Sequence, residues 1–350
     1  MSADFATMAE VQQLAEAKLP KEIWDYANGG SASETTLRRN RAALARWALE
    51  QRVLRDVHDI DLSVEFLGKT VPMPVIVAPM GSLYRFWDRG DIEMAAGAGR
   101  EGVIATVSGV CGWPMEEIAE AASAPLIFQL YHHGPREWVE PRLERVQRCP
   151  QYMAICLTVD NAIYSRRDRD LFNRFAAGSR GSKDRAGLPE QPGPDHDRAM
   201  HLTWADVDWL RSIVRVPLGI KGIGSAEDAR IALDHGVDFI WVSNHGGRQL
   251  DDARATIDVL PEVAQAVAGR APIVVDGGFQ RGTDVIKGRA LGATVVAMGK
   301  AASWGLTMGG AGGISAMLRI LREELRIAMG LSGNTCMRTL TPSILRKIDY

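Results

Sequence analysis

The chain has 350 residues, 46% hydrophobic and 24% charged, with a formal net charge of −2. That balance excludes a disordered or fibrous chain and permits one large buried core. With no polybasic run, the sequence lacks the electrostatic footprint of a nucleic-acid or anionic-membrane partner, and Cys111, Cys149, Cys156 and Cys336 show no close pairing that would build a zinc site or a disulfide framework.

Residues 1–70 come first. They open on MSADFATMAE, acidic and without an apolar core, and no later run approaches the ~20 apolar residues of a spanning helix. This predicts a soluble, unprocessed, cytoplasmic protein. Helical patterns run over 5–18 and, after Pro20, over 21–26, so 1–70 reads as a helical cap. Short apolar runs bounded by turn signals then follow at 74–78, 103–106, 126–130, 153–158, 217–221, 239–243, 272–275 and 294–298. Amphipathic stretches of helical period separate most of them, among them 92–100, 115–121, 227–235 and 283–291. Alternation of this kind predicts parallel strands with crossover helices, and eight of them close as a (β/α)8 TIM barrel over 71–309. A Gly-, Pro-, Arg- and Asp-rich loop, 173–202, interrupts the series after the fourth strand and reads as a mobile lid or disordered excursion. Residues 310–350 supply an amphipathic helix, 314–329, and a tail that packs beside the first and last barrel elements. The whole of 1–350 is read as a single domain.

A barrel of this type carries its active site at the C-terminal ends of its strands, and polar residues accumulate there: Thr106 and Ser108, Gln129 and Tyr131, Thr158 and Asp160, Lys221, Asn244 and His245, and Asp276. One polar strand end is ordinary; six describe a lined pocket. Barrels also bind phosphate with the loops after strands seven and eight, where Asp276-Gly277-Gly278 and Gly299 sit, because glycines let backbone N–H groups approach phosphate oxygens. Either glycine turn alone is only a tight turn; the two together read as a phosphate site. His245 is the candidate acid-base group, with Asp160 able to stabilise its charged form. A lone histidine is more often structural, but here a guanidinium, Arg248, follows three residues later on the same loop. Arg248 and Arg167 can grip a carboxylate in bidentate fashion, whereas Arg166, Arg169 and Arg174 are expected to be solvated. Lys221 closes an otherwise apolar strand and must face an anionic or polar group. A structural ion pair, stabilisation of a reduced flavin and Schiff-base chemistry are the uses open to it.

The run SNHGGRQLD at 243–251, the stretch 276–292, and the pieces Gln129-Leu130-Tyr131, Thr158-Val159-Asp160 and Lys221-Gly222 together resemble the FMN-dependent 2-hydroxy acid oxidases and dehydrogenases. The resemblance covers nearly the whole chain. It implies His245 as catalytic base with Asp160 as its partner, and Arg167, Arg248 and Tyr26 on the substrate carboxylate. It implies further that Tyr131 hydrogen-bonds the substrate hydroxyl and that Gly81 lines the pocket. Without it, Tyr26 reads as a packed cap residue. The FMN contacts it implies are Ala78, Pro79, Met80, Ser108, Gln129, Thr158, Lys221 and Ser243 around the ring, Asp276 on the ribityl chain, and Gly277, Gly278, Gln280, Gly299 and Lys300 toward the phosphate. The implied reaction converts a small (S)-2-hydroxy acid to the 2-oxo acid. Oxygen then accepts the electrons and gives peroxide, or an electron carrier takes them. A homo-oligomer, often a tetramer in such proteins, is implied as well.

This chain departs from the pattern at the phosphate end, where Gln280 and Lys300 replace arginines. In the pocket wall, Gly81, Val110 and Tyr164 stand where the family tunes substrate size. Val110, smaller than the aromatic of glycolate-oxidising members, admits a larger side chain, and Tyr164 pulls the other way. Oxidation of a different carboxylate, a monooxygenase-like variant, and a barrel that has lost FMN are the competing readings.

Overall fold

The computed structural model describes residues 5–175 and 196–348. Eight parallel strands close a barrel: β1 (Val75–Val77), β2 (Ala105–Ser108), β3 (Leu126–Leu130), β4 (Tyr152–Thr158), β5 (Leu218–Ile223), β6 (Phe239–Val242), β7 (Ile273–Val275) and β8 (Val295–Met298). Each overlaps one of the eight apolar runs read from the sequence. The runs are continuously apolar rather than alternating because helices cover the outer face of the sheet while side chains fill its interior.

Strand register identifies that interior. Gln129 pairs with Cys156, Cys156 with Gly219 and Gly219 with Phe239, while one row higher Thr158 pairs with Lys221, Lys221 with Trp241 and Trp241 with Val274. Residues in register project to the same face, so these rows point inward together. Beyond Gln129 the lower row is apolar and tightly filled: a Cβ at Gly219 would lie 2.2 Å from the Phe239 ring. Phe66, fully buried, meets Phe239 edge-on with centroids 5.9 Å apart and plugs the N-terminal end of the barrel. The upper row becomes polar, which leaves a sealed floor beneath a hydrogen-bonding mouth.

The segment 1–70 serves both ends. Helices α1 (Met8–Lys18), α2 (Lys21–Asn28) and α3 (Thr35–Ala45) include the two predicted from the sequence, and α2 and α3 contact the loops beyond the strand C-termini. By contrast Val64–Phe66 and Lys69–Val71 form an antiparallel hairpin that delivers Phe66 to the opposite end. Another short strand, Trp47–Leu49, pairs with Leu345–Lys347 and ties the C-terminal tail to this segment. The C-terminal helix runs Lys300–Leu331, longer than the sequence pattern suggested, and breaks at Gly309 and Gly310. Gly310 has φ +54°, and a Cβ there would meet the Trp87 indole nitrogen at 2.6 Å. Most of the predicted 173–202 loop lies outside the described residues; its end forms a short 3-10 helix, His196–His201. No helix among the described residues is long and apolar enough to cross a membrane.

Candidate active site

His245 follows β6 in a left-handed conformation, φ +57°, which is strained for a side chain of its size and continues through Gly246 and Gly247. Hydrogen bonds hold this turn from several directions. Ser243 Oγ accepts from His245 N–H at 3.0 Å, and the Asn244 side chain accepts from Gly247 N–H at 3.1 Å. Asn244 also exchanges a reciprocal amide pair, both bonds 2.9 Å, with Asn40 of α3. The sequence reading missed Asn40; its only signal was a buried amide on the inner face of a cap helix.

The turn aims the imidazole at two partners. Nδ1 lies 2.9 Å from Asp160 Oδ1, and Nε2 lies 3.3 Å from the Tyr131 hydroxyl. A carboxylate only accepts, so Nδ1 carries the proton and Nε2 keeps its lone pair toward Tyr131. Burial, reinforced by Lys221, pulls the His245 pKa below the ordinary imidazole value despite the pull of Asp160 in the other direction. For Asp160, burial acts to raise the pKa, but His245 and Lys221 outweigh it and hold the carboxyl below its usual range. Burial pushes the Tyr131 hydroxyl well above the usual phenol range, so it stays protonated. The group is a neutral base with an oriented tautomer.

Two guanidinium groups flank this base. Arg248 donates to the carbonyls of Tyr26 and, at 3.3 Å, Gly29, and its guanidinium stands 5.1 Å from the Tyr26 ring centre. Arg167 donates to the Tyr164 hydroxyl at 3.0 Å and lies 4.6 Å over that ring. Among the described residues neither forms an ion pair. Burial and the nearby Arg167 lower Arg248 to a pKa of about 10, still cationic at neutral pH. Paired, half-buried cations without a carboxylate fit an anionic ligand. Asp170, missed in the sequence, is buried near both; desolvation raises its pKa although Arg248 and Arg167 oppose that. Arg169 is not solvated as expected: it bridges Asp25 at 3.3 Å and Glu34 at 2.6 Å, stapling the β4 loop to α2. Arg166 and Arg174 do stay at the surface, Arg166 beside Asp168. A Cβ at Gly81 would lie 2.6 Å from Val110 Cγ2, so the two positions share one wall of the pocket.

Beneath lies the polar mouth. Ser108 Oγ donates to Gln129 Oε1 at 3.1 Å, while Gln129 Nε2 and Thr158 Oγ1 are buried without a hydrogen-bond partner among the described residues. Orphaned buried groups of this kind are costly unless a ligand satisfies them, and an amide donor beside a hydroxyl suits the pyrimidine edge of a flavin. Asp276 accepts from Ser243 Oγ at 2.8 Å and from Trp241 Nε1 at 2.9 Å, and lies 3.9 Å from Lys221 Nζ. Burial raises the Asp276 pKa against the pull of Lys221. The Ser243 hydroxyl is thus spent on Asp276 and the His245 turn. Ala78, Pro79 and Met80 form the opposite rim, where a Cβ at Gly299 would lie 3.6 Å from Ala78 Cβ.

At the phosphate end Gly277 and Gly278 have φ +103° and +88°, and a Cβ at Gly278 would lie 3.0 Å from Asn40. Lys300 Nζ donates to the carbonyls of Asn28 at 2.9 Å and Gly29 at 3.4 Å, with no carboxylate paired to it among the described residues. Burial and Arg248 push its ammonium well below the ordinary range, and an anion would relieve that. Arg281 is not available, since it pairs with Glu324 at 2.8 Å. The Gln280 backbone N–H donates to Asp284 at 3.0 Å. Arg41 donates to the Gly278 carbonyl at 2.6 Å while paired with Asp284, and Lys300 shares the Gly29 carbonyl with Arg248. The residues present therefore fit FMN, with Lys300 and Arg41 as the cations beside the glycine turn.

Comparison with known proteins agrees with this geometry. The family model for FMN-dependent dehydrogenases matches residues 15–347. Glycolate oxidase 1 of Oryza sativa subsp. indica is 38% identical, covering 97% of this chain and 95% of that protein. The L-lactate oxidase of a Nostoc species is 36% identical over 96% of each. Among solved structures, a mandelate oxidase variant with (S)-mandelic acid superposes with a TM-score of 0.90, at 34% identity and 99% coverage of both chains. A soluble variant of the membrane-associated (S)-mandelate dehydrogenase from Pseudomonas putida gives 0.90 at 31% identity, covering 98% of this chain and 100% of that one. The chain belongs to the FMN-dependent dehydrogenase family, flavin enzymes that oxidise 2-hydroxy acids.

Proposed function

We propose that this chain oxidises a small (S)-2-hydroxy acid to the 2-oxo acid, with His245 as the base. The observation that carries the reading is the imidazole held by Asp160 at 2.9 Å, its other nitrogen turned toward the Tyr131 hydroxyl at 3.3 Å, beside two guanidinium groups that form no ion pair among the described residues. FMN, when bound, supplies the two-electron acceptor. Arg167, Arg248 and Tyr26 hold the substrate carboxylate against the wall formed by Gly81 and Val110. Tyr131 binds the hydroxyl undergoing oxidation. His245 Nε2 would accept one proton from the substrate; the remaining hydrogen, with its two electrons, is what a bound FMN would take up. Asp160 would stabilise the resulting imidazolium, and Lys221 would place its positive charge beside a bound flavin. Gln129, Thr158 and Ser108 hold the ring's polar edge, and Asp276 the ribityl chain. Gly277, Gly278, Gln280, Gly299 and Lys300 surround the phosphate.

Oxygen is the acceptor we favour, giving peroxide, because glycolate and lactate oxidases lie among the relatives; a carrier-dependent dehydrogenase is the second reading, supported by the likeness to mandelate dehydrogenase. Four free cysteines support a reducing, cytoplasmic setting, and we read the protein as a homo-oligomer. The test is the visible spectrum of the pure protein, followed anaerobically while 2-hydroxy acids are added, with air then admitted. Bleaching of a flavin band, then rapid recovery with peroxide, is expected. Slow recovery in air would favour the dehydrogenase. A bound flavin that no 2-hydroxy acid bleaches would overturn the proposal.

A further inference from the structure

We propose that Trp241 is a positioning residue for the flavin chemistry: its indole N–H holds the Asp276 carboxylate off Lys221, leaving the ammonium directed at the ring. The inference rests on the reading above that Lys221 faces the flavin.

Asp276 is buried and needs partners, and it finds two neutral donors, Ser243 Oγ at 2.8 Å on one oxygen and Trp241 Nε1 at 2.9 Å on the other. Lys221 Nζ stands 3.9 Å from that second oxygen, beyond hydrogen-bond distance, and 6.0 Å from the Trp241 ring centre. A buried ammonium this close to a carboxylate closes to direct contact unless something else satisfies the carboxylate. The indole supplies that satisfaction. It is fully buried, in register with Lys221 on one side and Val274 on the other, and it stands above the filled row of Gly219 and Phe239. Its position leaves little rotamer freedom, so the N–H direction is fixed by packing.

Removing the N–H frees one carboxylate oxygen to draw Lys221 down and away from the flavin. Anything that places negative charge on the pyrimidine side of the flavin then becomes harder. Sulfite is a suitable probe because it adds to the bound flavin and leaves such a charge, with no turnover required. In Trp241→Phe the sulfite dissociation constant should rise about tenfold, the upper range for one hydrogen bond. The two-electron midpoint potential should fall by about 30 mV, the equivalent of that factor. Trp241→His keeps a ring donor and should stay closer to the parent. Ser243→Ala removes the other donor from Asp276 and gives a second reading in the same direction should Trp241→Phe not fold. Lys221→Met separates the failures. If it weakens sulfite binding while Trp241→Phe leaves affinity and potential unchanged, the role of the indole is overturned and the flavin reading stands. If neither substitution moves them, the placement of Lys221 at the ring is wrong and this inference goes with it.

Discussion

The two ends of the barrel mouth are built differently. Around the loops after β3, β4 and β6, each polar group is oriented by another: Asp160 fixes His245, His245 meets Tyr131, Arg169 staples the β4 loop to α2, and Asn40 clamps the histidine turn. After β7 Gly277 and Gly278 keep a left-handed backbone; Lys300, after β8, rests on two carbonyls, Arg41 donates to the Gly278 carbonyl while paired with Asp284, and Arg281 is drawn away to Glu324. The reacting end is a coupled network in which one loss disturbs several partners. The phosphate end is a backbone cradle with basic side chains beside it, joined to the reacting network through the Gly29 carbonyl shared by Lys300 and Arg248, so losses there should be more local.

The largest effect expected from this contrast is at His245. His245→Gln should lower kcat by about 10³- to 10⁴-fold, the upper range for a general base, while the flavin spectrum stays intact. The pH dependence sharpens the point. Because burial and Lys221 lower the His245 pKa, the neutral form persists below the ordinary imidazole value, so kcat/KM should rise with pH with its midpoint on the acid side of about 6.5. Asp160 raises that pKa. Asp160→Asn should therefore move the rising limb to still lower pH while lowering the plateau, and a limb that stays put would uncouple the pair.

A smaller, separable effect is expected at the other end. Lys300→Ala should weaken FMN about 10- to 100-fold, the worth of one charge-assisted hydrogen bond, with kcat of the fully loaded enzyme nearly unchanged. Gln280→Arg adds a second guanidinium near Gly278, beyond that of Arg41, and should tighten FMN in the same proportion. Equilibrium titration of the apoprotein with FMN measures both. If Lys300→Ala instead abolished turnover at saturating FMN, the two ends would not be independent and the comparison would fail.

The same division explains what the sequence disclosed. The barrel was legible because its strands are continuous apolar runs separated by stretches of helical period, and the reacting residues because they sit at strand ends, where the fold collects its chemistry. The supporting contacts were not legible. Asn40 lies 204 residues from Asn244, Arg169 reaches 144 residues back to Asp25, and the Phe66 plug belongs to a hairpin hidden within a segment read as helical. No local period announces such long-range pairings. Trp241 looked like one more apolar residue of a buried strand; only its register beside Lys221 turned its N–H toward Asp276. The outward turn of Arg281 likewise depended on Glu324, on a helix the sequence placed but could not orient.

The smallest effect lies where the reacting end meets solvent. Tyr164 is exposed, yet its hydroxyl accepts from Arg167 at 3.0 Å and its ring lies under the guanidinium at 4.6 Å. The hydroxyl holds Arg167 in place before substrate arrives and contributes nothing special to the transition state, so its loss should appear as uniform binding. An exposed hydrogen bond is worth about 0.5–1 kcal/mol, so Tyr164→Phe should raise KM roughly two- to fivefold for every 2-hydroxy acid at unchanged kcat. Tyr164→Ala also removes the ring, and should improve kcat/KM for acids with larger side chains relative to small ones. Steady-state kinetics across a series of chain lengths separates the two. A fall in kcat at constant KM in Tyr164→Phe would place this side chain among the reacting groups instead, and would extend the coupled network out to the surface of the barrel mouth.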